Sequence, residues 1–221
     1  MDHSPFLDRV AATVVNYQTP DLLETAVRTF HAVYPAVPLL LVDNGSQDTS
    51  RATIEQLQVD LGASLSVEWL AENRYHGPAM HHALERLQTP YVFVLDSDTE
   101  TKRPGFLEAM GAVLEADETL YGAGQVVRAN ARGFRDDQGT PVLASAFMLL
   151  KRDLYHRFRP FVHHGLPALH NFEDAHQAGY GLHAFPIETY VHHLGRGTAE
   201  RYGYGLGLRS KLDYVLNRLG F

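Results

Sequence analysis

The chain has 221 residues, 45% apolar and 20% charged, with a formal net charge of −7. That is room for one domain whose core hides roughly 70–75% of the unfolded surface, and the wrong sign of charge to hold a nucleic acid backbone. Cysteine is absent, which removes disulfides, zinc fingers and thiolate nucleophiles together and agrees with a reducing, cytoplasmic setting.

No apolar stretch approaches the ~20 residues that cross a bilayer. The start, Met1-Asp2-His3-Ser4-Pro5, lacks the basic and apolar regions of a secretory signal. Neither a transmembrane protein nor a secreted precursor is expected. In chain order, the β-branched run 10–15 predicts a strand ended by the turn-prone Asn16-Tyr17-Gln18-Thr19-Pro20. Thr19 is placed to N-cap a helix with Pro20 first and Leu22, Leu23, Ala26, Val27 and Phe30 on its apolar face. A strand over 37–42 leads into Asp43-Asn44-Gly45-Ser46, followed by a helix over about 49–61. A short strand is expected at 66–70, a helix near 77–87, and a strand at 91–95 whose unbroken apolar run suits burial on both faces. Strands alternating with helices predict an α/β/α sandwich around a mostly parallel sheet.

The second half is less regular. A helix is expected over 106–114, strands over 122–127, 144–150 and 186–193, and loop with short helix over 161–181. The glycine-rich stretch 195–207 reads as mobile and 208–219 as a terminal helix. The whole is expected to be one domain: a nucleotide-binding half over about 8–115, an acceptor and catalytic half over 116–207, and the terminal helix over 208–221.

In open parallel sheets, ligands bind beyond the carboxyl ends of the strands. Asn16, Asp43, Asn73 and Asp96 all follow predicted strands, although Asn and Asp also favour turns for their own sake. Asp96-Ser97-Asp98 is the sharpest local feature. Two carboxylates this close after a buried strand repel one another, and a divalent cation relieves the repulsion; Mg2+ or Mn2+ suits such oxygen ligands. The same pattern also occurs in solvated turns. Histidine numbers 13, and seven of these lie between His163 and His193, so a metal role competes with surface and capping roles.

Thr13-Val14-Val15-Asn16-Tyr17, Leu41-Val42-Asp43-Asn44-Gly45-Ser46-Gln47-Asp48, Glu72-Asn73 with Gly77, and Val94-Leu95-Asp96-Ser97-Asp98-Thr99 occur in that order. The series resembles the family 2 glycosyltransferases, over about residues 10–115 and more loosely to about 200. The resemblance implies a GT-A fold, a nucleotide-diphosphate sugar donor, Mn2+ or Mg2+, and inverting transfer to an acceptor that is a glycan, a lipid-linked sugar or a small molecule. Val15, Asn16 and Tyr17 would line the nucleotide pocket, and Asp43 would bind the nucleobase unless it serves only as a turn cap for Gly45. Asn73 and Gly77 match the family's glycine-rich stretch, with Tyr75 replacing a usual Gly and His81 a common Asn. Asp96, with Ser97 beside it, would face the ribose or a metal-bound water, and Asp98 would ligate the metal.

Downstream, Phe172-Glu173-Asp174 resembles the motif whose aspartate is the general base, with Glu173 the alternative; an acidic helix start complementing the dipole competes with both. Val191-His192-His193-Leu194-Gly195-Arg196-Gly197-Thr198 resembles the segment whose histidine completes the metal shell. Strand alternation lets one imidazole face the metal, with His193 favoured over His192. Arg196 and Arg201 could clamp phosphate or do nothing. The helix at 208–219 packs on the domain or docks on a membrane surface. Two other readings stand against transfer: a GT-A-like binding protein without turnover, and a sugar-phosphate nucleotidyltransferase. The latter lacks its usual basic, glycine-rich phosphate loop at residues 16–20.

Overall fold

The computed structural model describes residues 4–162 and 165–195. The first half alternates β1 (Val10–Asn16), α1 (Pro20–Val33), β2 (Leu39–Asp43), α2 (Ser50–Leu61), β3 (Leu65–Trp69), α3 (His76–Arg86) and β4 (Tyr91–Asp96). Then follow β5 (Thr99–Thr101), α4 (Phe106–Ala116), β6 (Leu120–Ala129), β7 (Thr140–Lys151), α5 (Arg152–Tyr155), α6 (Leu169–Gln177), β8 (Gly181–Ala184) and β9 (Val191–His193).

Seven strands form one sheet in the order β3-β2-β1-β4-β7-β6-β8. β3, β2, β1 and β4 are parallel neighbours, β7 is antiparallel to both β4 and β6, and β6 is parallel to β8. Strand alternation explains the unbroken apolar runs. Val10, Ala12 and Val14, with Leu39, Leu41, Phe93 and Leu95, face one core that is closed by α1, α2 and α4. Leu40, Val42, Val92 and Val94 face a second core under α3 and α6. With each side chain contributing ~1.5–3 kcal/mol on full burial, both faces of the sheet are anchored, and the result is the expected three-layer α/β/α sandwich.

Register puts the strand ends level. Asn16 pairs with Asp43 and Val15 with Asp96, so β1, β2 and β4 finish along one edge of the sheet. A separate two-stranded ribbon, β5 with β9, sets Thr99 opposite His193 and Glu100 opposite His192.

Several expectations are corrected. Thr19 stands at the N-cap of α1 but makes no capping hydrogen bond. It is buried, and its hydroxyl instead donates to Asn16 Oδ1 at 3.1 Å and meets Ser97 Oγ at 3.1 Å. The strand expected over 186–193 shrinks to Val191–His193, because Ile187–Thr189 winds into a 3-10 turn after Pro186. β5 and β8 were not anticipated: three- and four-residue strands carry too little alternation to be seen locally. The expected mobile stretch 195–207 and the helix expected over 208–219, with Arg196 and Arg201, lie outside the described residues apart from Gly195. Among the described residues, no helix is long and apolar enough to cross a membrane.

Candidate active site

At the carboxyl ends of β1 and β2 the polar side chains hold one another. Asn16 is fully buried; its Nδ2 donates to Asp43 Oδ1 at 2.9 Å and to Ser46 Oγ at 3.2 Å. Asp43 Oδ2 accepts from the Ser46 amide at 3.0 Å. The loop after β2 is therefore braced from behind, and Asp43 acts as its turn cap whatever else it meets. Asn44 extends the brace: its Nδ2 donates to Asn73 Oδ1 at 3.0 Å and its Oδ1 accepts the Arg74 amide at 2.9 Å. Gly45 is required here, since its φ is +75° and a Cβ would stand 2.5 Å from the Glu72 carbonyl carbon. Val15 is buried and Tyr17 half-buried at the same edge.

Asn73 Oδ1 also accepts the Tyr75 amide at 2.7 Å. Tyr75 lies at φ +66°, a backbone state that glycine adopts without strain, so the usual Gly of the resemblance has a conformational reason at this position. The chain then enters α3 at His76. Gly77, in the first turn, is pressed so closely by the chain at Val162 that a Cβ would lie 2.0 Å from the Val162 carbonyl oxygen. No side chain fits there.

The end of β4 carries the charge. Ser97 and Asp98 are buried, and Asp96 is half-buried. His193 Nε2 stands 3.1 Å from Asp98 Oδ1. Ligand atoms of Asp96, Asp98 and His193 all lie within 4.8 Å of one another. The ribbon makes this possible: the Leu194 amide donates to the Asp98 carbonyl at 2.8 Å, locking β9 beside the loop after β4. His192, the next residue back, is opposite Glu100 and is not in the cluster. Two carboxylates and an imidazole form a donor set suited to Mn2+, and imidazole is less natural for Mg2+. Asp96 Oδ1 is buried, with His76 Nε2 3.2 Å away and no well-formed hydrogen bond between them. Asp98 raises the pKa of His193 through this contact, against the opposing effect of burial. Burial alone would raise the Asp96 carboxyl, but His76 and His193 beside it bring its pKa below the usual value.

Glu173 and Asp174 lie on α6, where they meet Arg159 and His170. Asp174 is gripped by Arg159: Nε donates to Oδ2 at 2.8 Å, Nη2 to Oδ1 at 2.7 Å, and the Arg159 amide to Oδ2 at 3.1 Å. That grip holds its carboxyl below the usual aspartate range. Glu173 Oε2 meets His170 Nδ1 at 3.0 Å and Arg159 Nη2 at 3.5 Å.

Sequence reasoning missed Thr19, Asn44, Ser46, Arg159 and His76 as parts or supports of this site. Asn44 and Ser46 belonged to the quoted Asp43-Asn44-Gly45-Ser46 segment, which was a usable signal. Arg159 and His76 meet their partners only across the fold.

Against solved structures, the chain is similar to the mannosyltransferase PcManGT from Pyrobaculum calidifontis, solved with GDP-Man and Mn2+. The TM-score is 0.66 and the identity 18%, over 80% of this chain and 55% of that one. It is also similar to residues 1–349 of S. aureus TarS in complex with UDP-GlcNAc, with a TM-score of 0.62 and 14% identity, over 83% of this chain and 57% of that one. The chain thus spans little more than half the length of these structures, and at such identities the likeness establishes the GT-A fold. No curated protein matches the sequence. The family description Glycosyl transferase family 2 matches residues 12–172, the stretch from β1 through the middle of α6, and the chain belongs to that family.

Proposed function

We propose that the chain is a metal-dependent, inverting glycosyltransferase unit that moves a sugar from a nucleotide-diphosphate sugar to an acceptor hydroxyl. The observation that carries this reading is the meeting of Asp96, Asp98 and His193 at the carboxyl edge of a parallel sheet. The ligands named with the two similar structures, GDP-Man with Mn2+ and UDP-GlcNAc, support the donor class. The chain acts as one domain, with residues 8–115 binding the donor and 116–207 building the acceptor side.

Val15, Asn16, Tyr17 and Asp43 would form the nucleobase end of the pocket. Asn73, Gly77, Asp96 and Ser97 would flank the ribose and phosphates. Asp98 and His193 would hold the Mn2+ or Mg2+, with Asp96 facing the ion's bound water beside them, and the ion when bound neutralises the departing diphosphate. His192 would stand away from it. A carboxylate on α6 would accept the proton of the acceptor hydroxyl as that oxygen attacks the anomeric carbon. Of the two candidates, Asp174 must share both oxygens with Arg159 and so makes the weaker base; the grip favours Glu173. The same grip supports a second reading, a nucleotide-sugar-binding protein without turnover.

Calorimetric titration of UDP, GDP and dTDP with and without Mn2+ tests the proposal. One nucleotide should bind with Mn2+-dependent affinity; no metal-dependent binding of any of the three overturns it. Release of nucleoside diphosphate from a donor panel then separates transferase from binder.

A further inference from the structure

His76 is a polar residue that the reading above leaves unused. It opens α3, and its Nε2 stands 3.2 Å from Asp96 Oδ1. Both atoms are closed off from solvent, and the contact falls short of a well-formed hydrogen bond. A buried donor and acceptor left facing one another cost free energy that an apolar side chain in the same space would not. The residue before it adds a second cost, because Tyr75 holds a backbone conformation at φ +66° and ψ 167° that L side chains rarely adopt. Strain at Tyr75 and unmet polarity at His76 are adjacent, and together they deliver an imidazole to the first carboxylate of the Asp96-Ser97-Asp98 turn. Local strain and unmatched polar groups persist where something else depends on them.

We propose that His76 is a positioning residue for Asp96: its Nε2–H holds Oδ1 and so orients the other carboxylate oxygen toward the metal-bound donor. The inference rests on the proposed metal-dependent donor site. It assigns His76 no contact with sugar, phosphate or metal. Its role is that of the partners behind metal ligands, which fix a ligand's orientation without touching the ion.

Mn2+ binding followed by loss of the free-ion EPR signal, together with calorimetric GDP and UDP titrations, tests it without turnover. His76→Phe should weaken Mn2+ binding by about 10–100-fold, the usual effect of losing such a partner. Metal-supported nucleotide affinity should fall in proportion, metal-free affinity should not change, and the melting temperature should hold or rise. His76→Gln, which can offer an N–H near the same place, should recover most of the loss. Should the Phe variant not fold, His76→Ala is expected to show the same Mn2+ defect. Parental Mn2+ affinity in the Phe or Ala variant, or a Gln variant as weak as Ala, overturns the positioning role. If the parent binds Mn2+ and loses it with Asp98→Ala while His76→Phe matches the parent, only this inference falls. If the parent binds no Mn2+, the donor-site reading falls with it.

Discussion

Two groups of acidic side chains, one after β4 and one on α6, are treated in opposite ways by the fold. Asp174 has its carboxylate oxygens taken up by three hydrogen bonds from Arg159. Asp96 Oδ1 is buried with only an imperfectly aligned imidazole, His76, 3.2 Å away, and Asp98 has a histidine that itself can bind metal. The difference teaches where to look for a ligand. A carboxylate saturated by fixed donors is already neutralised and braces the chain, whereas one left short of donors, out of water, gains more from a further ligand.

The sharpest way to break this contrast is to ask which α6 carboxylate moves a proton. Glu173→Gln should lower transfer by about 10²–10⁴-fold, the worth of a positioned base, while donor binding stays at the parental level. Asp174→Asn should do less, read in the same assay. If Asp174→Asn is the more damaging, the base is the gripped carboxylate, and Arg159 must release it during turnover.

Next in size is the metal cluster. Asp98→Ala should keep its melting temperature and lose metal-dependent nucleotide affinity by more than about 100-fold, since a metal ligand matters more than the residues behind it. His193→Ala should raise the Mn2+ concentration needed for nucleotide binding, and His192→Ala should leave it unchanged in the same titration. A collapse of the Asp98→Ala melting temperature would instead make that residue structural.

The smallest effect concerns acid stability. Arg159 lowers the Asp174 pKa, so their contact contributes fully above the ordinary aspartate value of about 3.9 and is lost as pH falls through the lowered native value. The Arg159 side chain is 52% exposed, so the contribution should be under about 1 kcal/mol. Asp174→Asn should therefore lose less melting temperature than the parent between about pH 5 and about pH 3. Equal losses would mean that the grip contributes nothing to stability.

Much of the molecule is legible in its sequence. The β-branched run at 10–15 announced a strand, and the apolar run at 91–95 announced one covered on both faces, because continuous hydrophobicity leaves no side for water. Pro20 and the spacing of Leu23, Val27 and Phe30 announced α1, and those side chains do close the first core. Asp43 and Asp96 were legible as strand-end residues because turn chemistry and parallel-sheet geometry are both local rules.

Other features were decided by tertiary structure. β5 and β9 are three residues each, and only their pairing makes them strands. That pairing brings His193 to Asp98 across 95 residues of chain, while alternation sends His192 elsewhere. Thr19 suited an N-cap by sequence, yet burial against Asn16 and Ser97 redirected its hydroxyl. Arg159 on Asp174 and His76 on Asp96 are likewise contacts between segments far apart in sequence or in different elements. The sequence by itself determined the layers, the sheet and the edge where a ligand would lie, since these follow from hydrophobic period and turn residues read a few positions at a time. Which carboxylates are satisfied and which are left waiting was set only by folding, because a hydrogen bond's partner is chosen by three-dimensional proximity, for which spacing along the chain carries no signal.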